Sequence, residues 1–180
     1  MTADLREDER PRVSGAVSLT AQQAMAGEHL AMIHAHFLAQ VANLLRLVEA
    51  VANDERSLAE LADEVQGLEM RRNYEAVGSF CGSVCYGLNA HHSIEDRFIF
   101  PEVSASALYA PVIAKLREEH EVIHAQLERL DAAMDSSLNQ GSPLHRLTAE
   151  VERLQGILIS HFGYEDEQLP EPLGVLDLPV

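Results

Sequence analysis

Apolar residues recur every three to four positions along several stretches of the chain, the period of one face of an α-helix. The first stripe is Leu30, Ile33, Phe37, Leu38, Val41, Leu44, Leu45 and Val48. Thr20 and Gln23 stand just ahead of it at capping-box spacing, so helix A is expected to begin there and to end near "NDER" at 53–56. Ser57 with Glu60 offers a second start. One helix from there to Phe100 would be roughly 60 Å long at 1.5 Å per residue, far longer than its neighbours. A break at Gly67 is therefore expected, leaving a short extra helix and then helix B from about Leu68 to Phe100. Pro111 suits the first turn of helix C, which runs to about Leu138. Ser142 and Pro143 open helix D, which carries Leu147, Val151, Leu154 and Leu158 and stops at about Leu169, before "PEPLGVLDLP".

No segment alternates apolar and polar residues long enough to compete as a strand, so the class is all-α. Short links make consecutive helices antiparallel. The expected architecture is an up-down-up-down four-helix bundle over residues 19–170, with the short extra helix between A and B. Residues 1–18 are charged and aperiodic and are expected to form a disordered tail; residues 171–180 are expected to form a second one.

Composition narrows the partners. With 180 residues and 47% hydrophobic content, the chain can bury one sizeable core, which favours a single domain. A formal charge of -16 repels phosphate, so neither nucleic acid nor an anionic membrane surface is expected as a partner. "MTADLREDERPR" has no apolar signal region, and no uninterrupted apolar run approaches the roughly 18 residues of a membrane span. A cytoplasmic location is expected. Cys81 and Cys85 stand four apart on one helical pattern, a poor geometry for a bridge, and are read as reduced core residues.

The chemistry lies in the histidines. His34 falls within the helix A stripe between Ile33 and Phe37. In "LREEHEVIHAQLERL", His120 and His124 stand one turn apart among Leu116, Ile123, Leu127 and Leu130. The stretches "HHSIEDRFIFP" and "HFGYEDEQLP" repeat one pattern, in which a histidine is followed four residues later by Glu-Asp and then by proline. Each repeat stacks a histidine and a glutamate on one helix face, His91 with Glu95 and His161 with Glu165. Both repeats end long helices that run in the same direction, so the two pairs are expected at one height along the bundle.

Singly, each of these residues is ordinary, since an inward histidine is usually hydrogen-bonded in a core and a His/Glu pair is usually a surface ion pair. Together they would require five imidazoles and two carboxylates with private partners, at about 1–3 kcal/mol for each left unsatisfied. One or two dications satisfy all of them. "HEVIH" also spells the HExxH of zinc proteases, but that reading leaves the other histidines and carboxylates without a role. Imidazole with carboxylate and no thiolate suits iron, and also manganese or zinc. Seven ligands are too many for one ion and suit two.

At these residues the chain resembles the hemerythrin-like family of HHE cation-binding domains, over about residues 28–170, through "IHAHF", "HHSIEDRFIFP", "EEHEVIH" and "HFGYEDEQLP". The resemblance implies a non-haem di-iron centre with an oxo or hydroxo bridge. His120, His124 and His161 would hold one iron and His34 and His91 the other, with Glu95 and Glu165 bridging. In the family's oxygen carriers the last bridge is an aspartate five residues after its histidine, an offset met here by Asp166; Glu165 is preferred because it lies on the apolar stripe of its helix. His92 is the alternative to His91, as a ligand or as a supporting group. The carriers line their pocket with a tryptophan, and this chain has none.

The implied function is binding of dioxygen, nitric oxide or peroxide at an open iron position, for sensing, buffering or delivery. The alternatives are a redox enzyme that detoxifies peroxide or nitric oxide, catalase- or peroxidase-like, with an unidentified redox partner, or cation handling without redox chemistry. Phe37, Phe98 and Phe162 are the expected apolar wall of the site.

Overall fold

The computed structural model describes residues 5–14, 17–52, 82–140 and 144–179. Every regular element among them is helical: a 3-10 turn at Glu7–Glu9, then α1 (Ala21–Ala52), α2 (Gly82–Ile94), a π-helical turn (Glu95–Ile99), α3 (Phe100–Ser104), α4 (Ala110–Gln140), α5 (Leu144–Gln168) and α6 (Pro170–Val175). The Ser57/Glu60 start, the Gly67 break and the Ser142–Pro143 start lie outside the described residues.

The capping box at the head of α1 is formed. The Gln23 backbone N–H donates to Thr20 Oγ1 at 3.3 Å, and the Thr20 N–H donates back to Gln23 Oε1 at 3.0 Å. By length and composition alone, Ala21–Glu49 could cross a membrane. Burial of Leu30, His34, Val41, Leu44 and Val48 along one stripe accounts for the same composition as a core helix.

The chain divides into two compact units, Met1–His36 with His91–Val122 and Ile157–Val180, and Phe37–Ala90 with Ile123–Gly156. The first is built around Leu30, Ile99, Phe100, Val103, Val112, Ile113, Leu116, Tyr164, Leu169 and Leu173. Each such side chain, fully buried, contributes roughly 1.5–3 kcal/mol relative to exposure. In the second, Gln126 Nε2 donates to the Glu150 backbone carbonyl at 3.0 Å and to its carboxylate at 2.7 Å. Cys85 is buried and disulfide-bonded, which corrects the expectation of a reduced thiol; the chain's other cysteine, Cys81, lies outside the described residues.

Two terminal segments depart from the expected tails. Residues 171–175 complete helix α6, which starts on Pro170 and buries Pro172 and Leu173. It lies so close to the start of α1 that a Cβ added at Gly27 would meet Pro170 Cβ at 2.7 Å. At the other end, residues 5–14 lie on α4 and α5. Leu5 is buried, the Val13 N–H donates to Gln168 Oε1 at 2.7 Å, and Arg6 and Arg12 pair with Glu118 and Glu167. The charge run predicts a solvated tail because its partners lie more than a hundred residues away in sequence.

The π-helical turn follows from the sequence around Pro101. Phe100 N–H bonds to the Glu95 carbonyl, five residues back. In the same register the Asp96 carbonyl would accept from residue 101, but proline has no N–H. Arg117 Nη2 supplies the donor at 2.8 Å. The helix thus passes through Pro101 to Ser104 instead of ending at Phe100 as expected, and Phe98 is left 68% exposed. Phe98 is therefore not part of an apolar wall, whereas Phe37 and Phe162 are buried.

Candidate metal centre

Two groups of buried side chains, all in the first unit, bring ligand atoms together: His92, His120 and His161, and His34, His91, Glu95 and Glu165. Within each group the ligand atoms lie within 4.8 Å of one another. His34 comes from α1, His91 and His92 from the end of α2, Glu95 from the π-helical turn, His120 from α4, and His161 and Glu165 from α5. Both His/Glu pairs of the sequence repeat therefore enter one site, as the i, i+4 spacing requires.

The carboxylates link the two groups. Glu95 places Oε1 3.5 Å from His91 Nε2 and Oε2 3.6 Å from His120 Nε2. Glu165 places Oε2 3.3 Å from His34 Nε2 and 3.4 Å from His161 Nε2, and Oε1 3.6 Å from His120 Nε2. These approaches lack hydrogen-bond geometry: all four carboxylate oxygens, Nε2 of His92 and His161, and both ring nitrogens of His120 are buried with no hydrogen-bond partner among the described residues. Orphaned groups in such number are rare in a folded core. Ligand atoms about 2.0–2.2 Å from a cation stand about 3 Å apart around it, close to the 3.2 Å between Nε2 of His34 and His91.

The other ring nitrogens face outward, toward a second set of carboxylates. His34 Nδ1 lies 2.8 Å from Asp166, His161 Nδ1 3.1 Å from Glu119, and His120 Nδ1 3.3 Å from Asp96. An ionised carboxylate only accepts, so in the neutral rings of His34 and His161 it favours the tautomer with the proton on Nδ1 and the Nε2 lone pair inward. Phe162 stacks flat on His34 at 4.0 Å, and His92 stacks on His120 at 4.1 Å.

Without a cation the site is electrostatically divided. Burial, with Glu165 and Asp96 nearby, holds the Glu95 carboxyl well above the usual range. Burial also disfavours charge on Glu165, but His161, His120 and His34 outweigh it and hold that carboxyl well below. Burial takes His91 down to about 4 and His92 well below the ordinary imidazole value, leaving both neutral at pH 7. Against the same burial, Asp96 and Glu165 push His120 up to about 9, and Asp166 and Glu165 raise His34.

Six of the seven residues expected from the sequence, His34, His91, Glu95, His120, His161 and Glu165, fall in these groups; His124 does not. Its side chain is 56% exposed and reaches Asn89 at 3.2 Å and Glu128 at 3.6 Å. On α4, Leu116, Ile123, Leu127 and Met134 define the buried stripe, and His124 lies roughly 80° from its centre at 3.6 residues per turn. His124 thus stands outside both groups of ligand atoms. His92, the alternative beside His91, stands in the three-histidine group. Glu119, 1% exposed against His161, was missed; its position beside His120 on the buried side of α4 was the available signal.

Buried imidazoles, two carboxylates shared between them and a helical scaffold define a histidine–carboxylate cation-binding protein. The model of one family, the hemerythrin HHE cation binding domain, matches residues 25–171, and the chain belongs to that family. No curated protein and no solved structure gave a significant match.

Proposed function

We propose that the chain is a non-haem di-iron protein that binds dioxygen, nitric oxide or peroxide, with the four-helix, up-down-up-down topology that short helix links favour. The observation that carries this reading is the convergence of buried nitrogen and oxygen atoms that have no hydrogen-bond partner among the described residues. His92, His120 and His161 would hold one ion, His34 and His91 the other, and Glu95 and Glu165 would bridge them. Bound iron would supply reversible redox chemistry and a position for a small ligand. The protein's own part is to present imidazole nitrogens, hold His34 through Asp166 and His161 through Glu119, and exclude bulk water with Phe162 and Phe100 packed against His34 and His120. Neutral ligands leave the pair less anionic than a carboxylate-rich set, which favours ligand binding or mild redox turnover over attack on strong bonds.

The test is metal analysis of the chain loaded anaerobically with ferrous iron, with absorption spectra before and after exposure to air or nitric oxide. About two irons per chain and a spectrum that changes with the gas are expected. Failure to take up more than trace iron would overturn the reading. A second reading, zinc without redox function, is favoured by the all-nitrogen group His92, His120 and His161. Retention of zinc alone, in competition with iron, would support it.

A further inference from the structure

The segment at residues 5–14 lies outside the family's matched residues, yet its Arg10 reaches the wall of the candidate centre. Arg10 Nε donates to Glu119 Oε1 at 2.8 Å and Nη2 donates to Oε2 at 2.9 Å, a two-point fork that fixes the carboxylate plane. Glu119 Oε2 then meets His161 Nδ1 at 3.1 Å. The pair is nearly sealed from solvent, with side-chain exposures of 6% and 1%. His161 itself is fully buried, and its Nε2 faces Glu165 at 3.4 Å.

We propose that residues 5–14 are a strap that belongs to the metal site, in which Arg10, acting through Glu119, positions His161 with its Nε2 lone pair directed at the cation. The inference rests on the metal-centre reading for its consequence, but the positioning itself is a property of the metal-free protein. Arg10 is a positioning residue, since it touches no ligand atom directly.

Three observations support it. Glu119 could turn away from His161 if its carboxylate were free to rotate; the fork removes that freedom and leaves Oε2 to accept from the ring. The strap is held at many points: Leu5 is buried, Arg10 lies over the Tyr164 ring at 4.7 Å, and the Tyr164 hydroxyl donates to the Pro11 carbonyl at 2.5 Å. Arg6 adopts a left-handed conformation, φ 46°, which a non-glycine residue keeps only where its surroundings determine it. Finally, the other two outer carboxylates are held less completely. Asp96 has the exposed Arg117 at 3.6 Å, and Asp166 is 36% exposed. His161 alone of the three is backed by a buried ion pair.

The experiment uses the full chain and three variants, Arg10→Gln, Arg10→Lys and Arg12→Gln. Two quantities are read: the tautomer of His161 in the metal-free protein, by long-range proton–nitrogen correlation spectra assigned with His161→Gln, and affinity for ferrous iron under anaerobic conditions. The native chain is expected to hold the Nδ1-protonated form. Arg10→Gln should give a mixture of tautomers and bind iron roughly tenfold more weakly; Arg10→Lys should fall between. Arg12→Gln, which cuts an exposed pair on the same strap, should keep both quantities within about twofold of the native chain. A folded Arg10→Gln with native tautomer and native affinity would overturn the proposal, as would equal losses in Arg12→Gln, which would mark general loosening of the strap. If Arg10→Gln does not fold, Glu119→Gln is read the same way, because it keeps the shape and replaces one acceptor oxygen with a donor. If the native chain takes up no iron, the metal-centre reading fails while the tautomer measurement still decides the strap.

Discussion

Glu95 and Asp96 are neighbours in the chain and address the two nitrogens of one ring: Glu95 Oε2 lies 3.6 Å from His120 Nε2, and Asp96 Oδ2 lies 3.3 Å from His120 Nδ1. Glu165 and Asp166 do the same to His34, at 3.3 Å from Nε2 and 2.8 Å from Nδ1. Each Glu-Asp repeat thus grips a histidine of another helix between an inner and an outer carboxylate. The glutamates are buried; the aspartates are about one-third exposed, as a 100° step around a helix requires.

Replacing Glu165 should be the most damaging change to the centre, because it faces His34, His120 and His161 together. Glu165→Gln should lose more affinity than the roughly 10–100-fold that removal of an outer partner costs. Iron content after desalting checks this, and retention of two irons at native affinity would remove Glu165 from the site.

His92→Ala and His124→Ala should differ. The first removes a donor from the three-histidine group and should lower metal content. The second removes an exposed ring and should leave metal content unchanged and stability within about 0.5 kcal/mol. The reverse ranking in parallel metal analyses and melts would restore the assignment made from helix spacing.

Metal uptake should release protons. In the metal-free protein His120, pushed up to about 9, carries a proton on each nitrogen at pH 7, and burial with the neighbouring carboxylates favours the protonated form of Glu95. A cation must displace a proton from each residue, whereas His91 and His92 are already neutral. Raising the pH removes the competing protons, so affinity should rise from pH 7 toward the value of about 9 at which His120 loses its proton. Calorimetry in buffers of different ionisation enthalpy should show net proton release on binding at pH 7; affinity that falls as pH rises would contradict the assigned roles.

Removing the metal should lower the melting temperature without unfolding the chain. Cation binding at a thousandfold excess over its dissociation constant adds about 4 kcal/mol to stability. The metal-free chain keeps the apolar cluster around Phe100 and Leu116, so circular dichroism should show native helix content after chelation. Coincident loss of helix and metal would mean that the cation is needed for folding.

Gly27→Ala should destabilise the packing of α6 on α1 by about 1–3 kcal/mol, because the new methyl group would meet Pro170 at 2.7 Å. A thermal melt of the metal-loaded and chelated forms, each shifted by the same amount, would separate this packing effect from the centre.

Much of the site was legible because helical spacing is a local property. The offset of four in His91/Glu95 and His161/Glu165 places each pair on one face whatever surrounds it, and the Thr20/Gln23 cap forms from adjacent residues. His124 shows where the argument stops. Its offset from His120 is the same four residues, but the stripe on α4 has an edge, and only packing decides on which side of that edge a ring 40° further round will lie.

The sequence by itself determined the helical class and the two repeated His-x-x-x-Glu-Asp elements, since both follow from periodicity within single segments. Only the tertiary structure decided which nitrogen of each ring faces inward, which residue of each Glu-Asp pair backs a neighbouring helix, and that Arg10 lies against Glu119, 109 residues further along the chain. Those outcomes depend on contacts between elements distant in sequence, and the period of one helix carries no information about its neighbour's side chains.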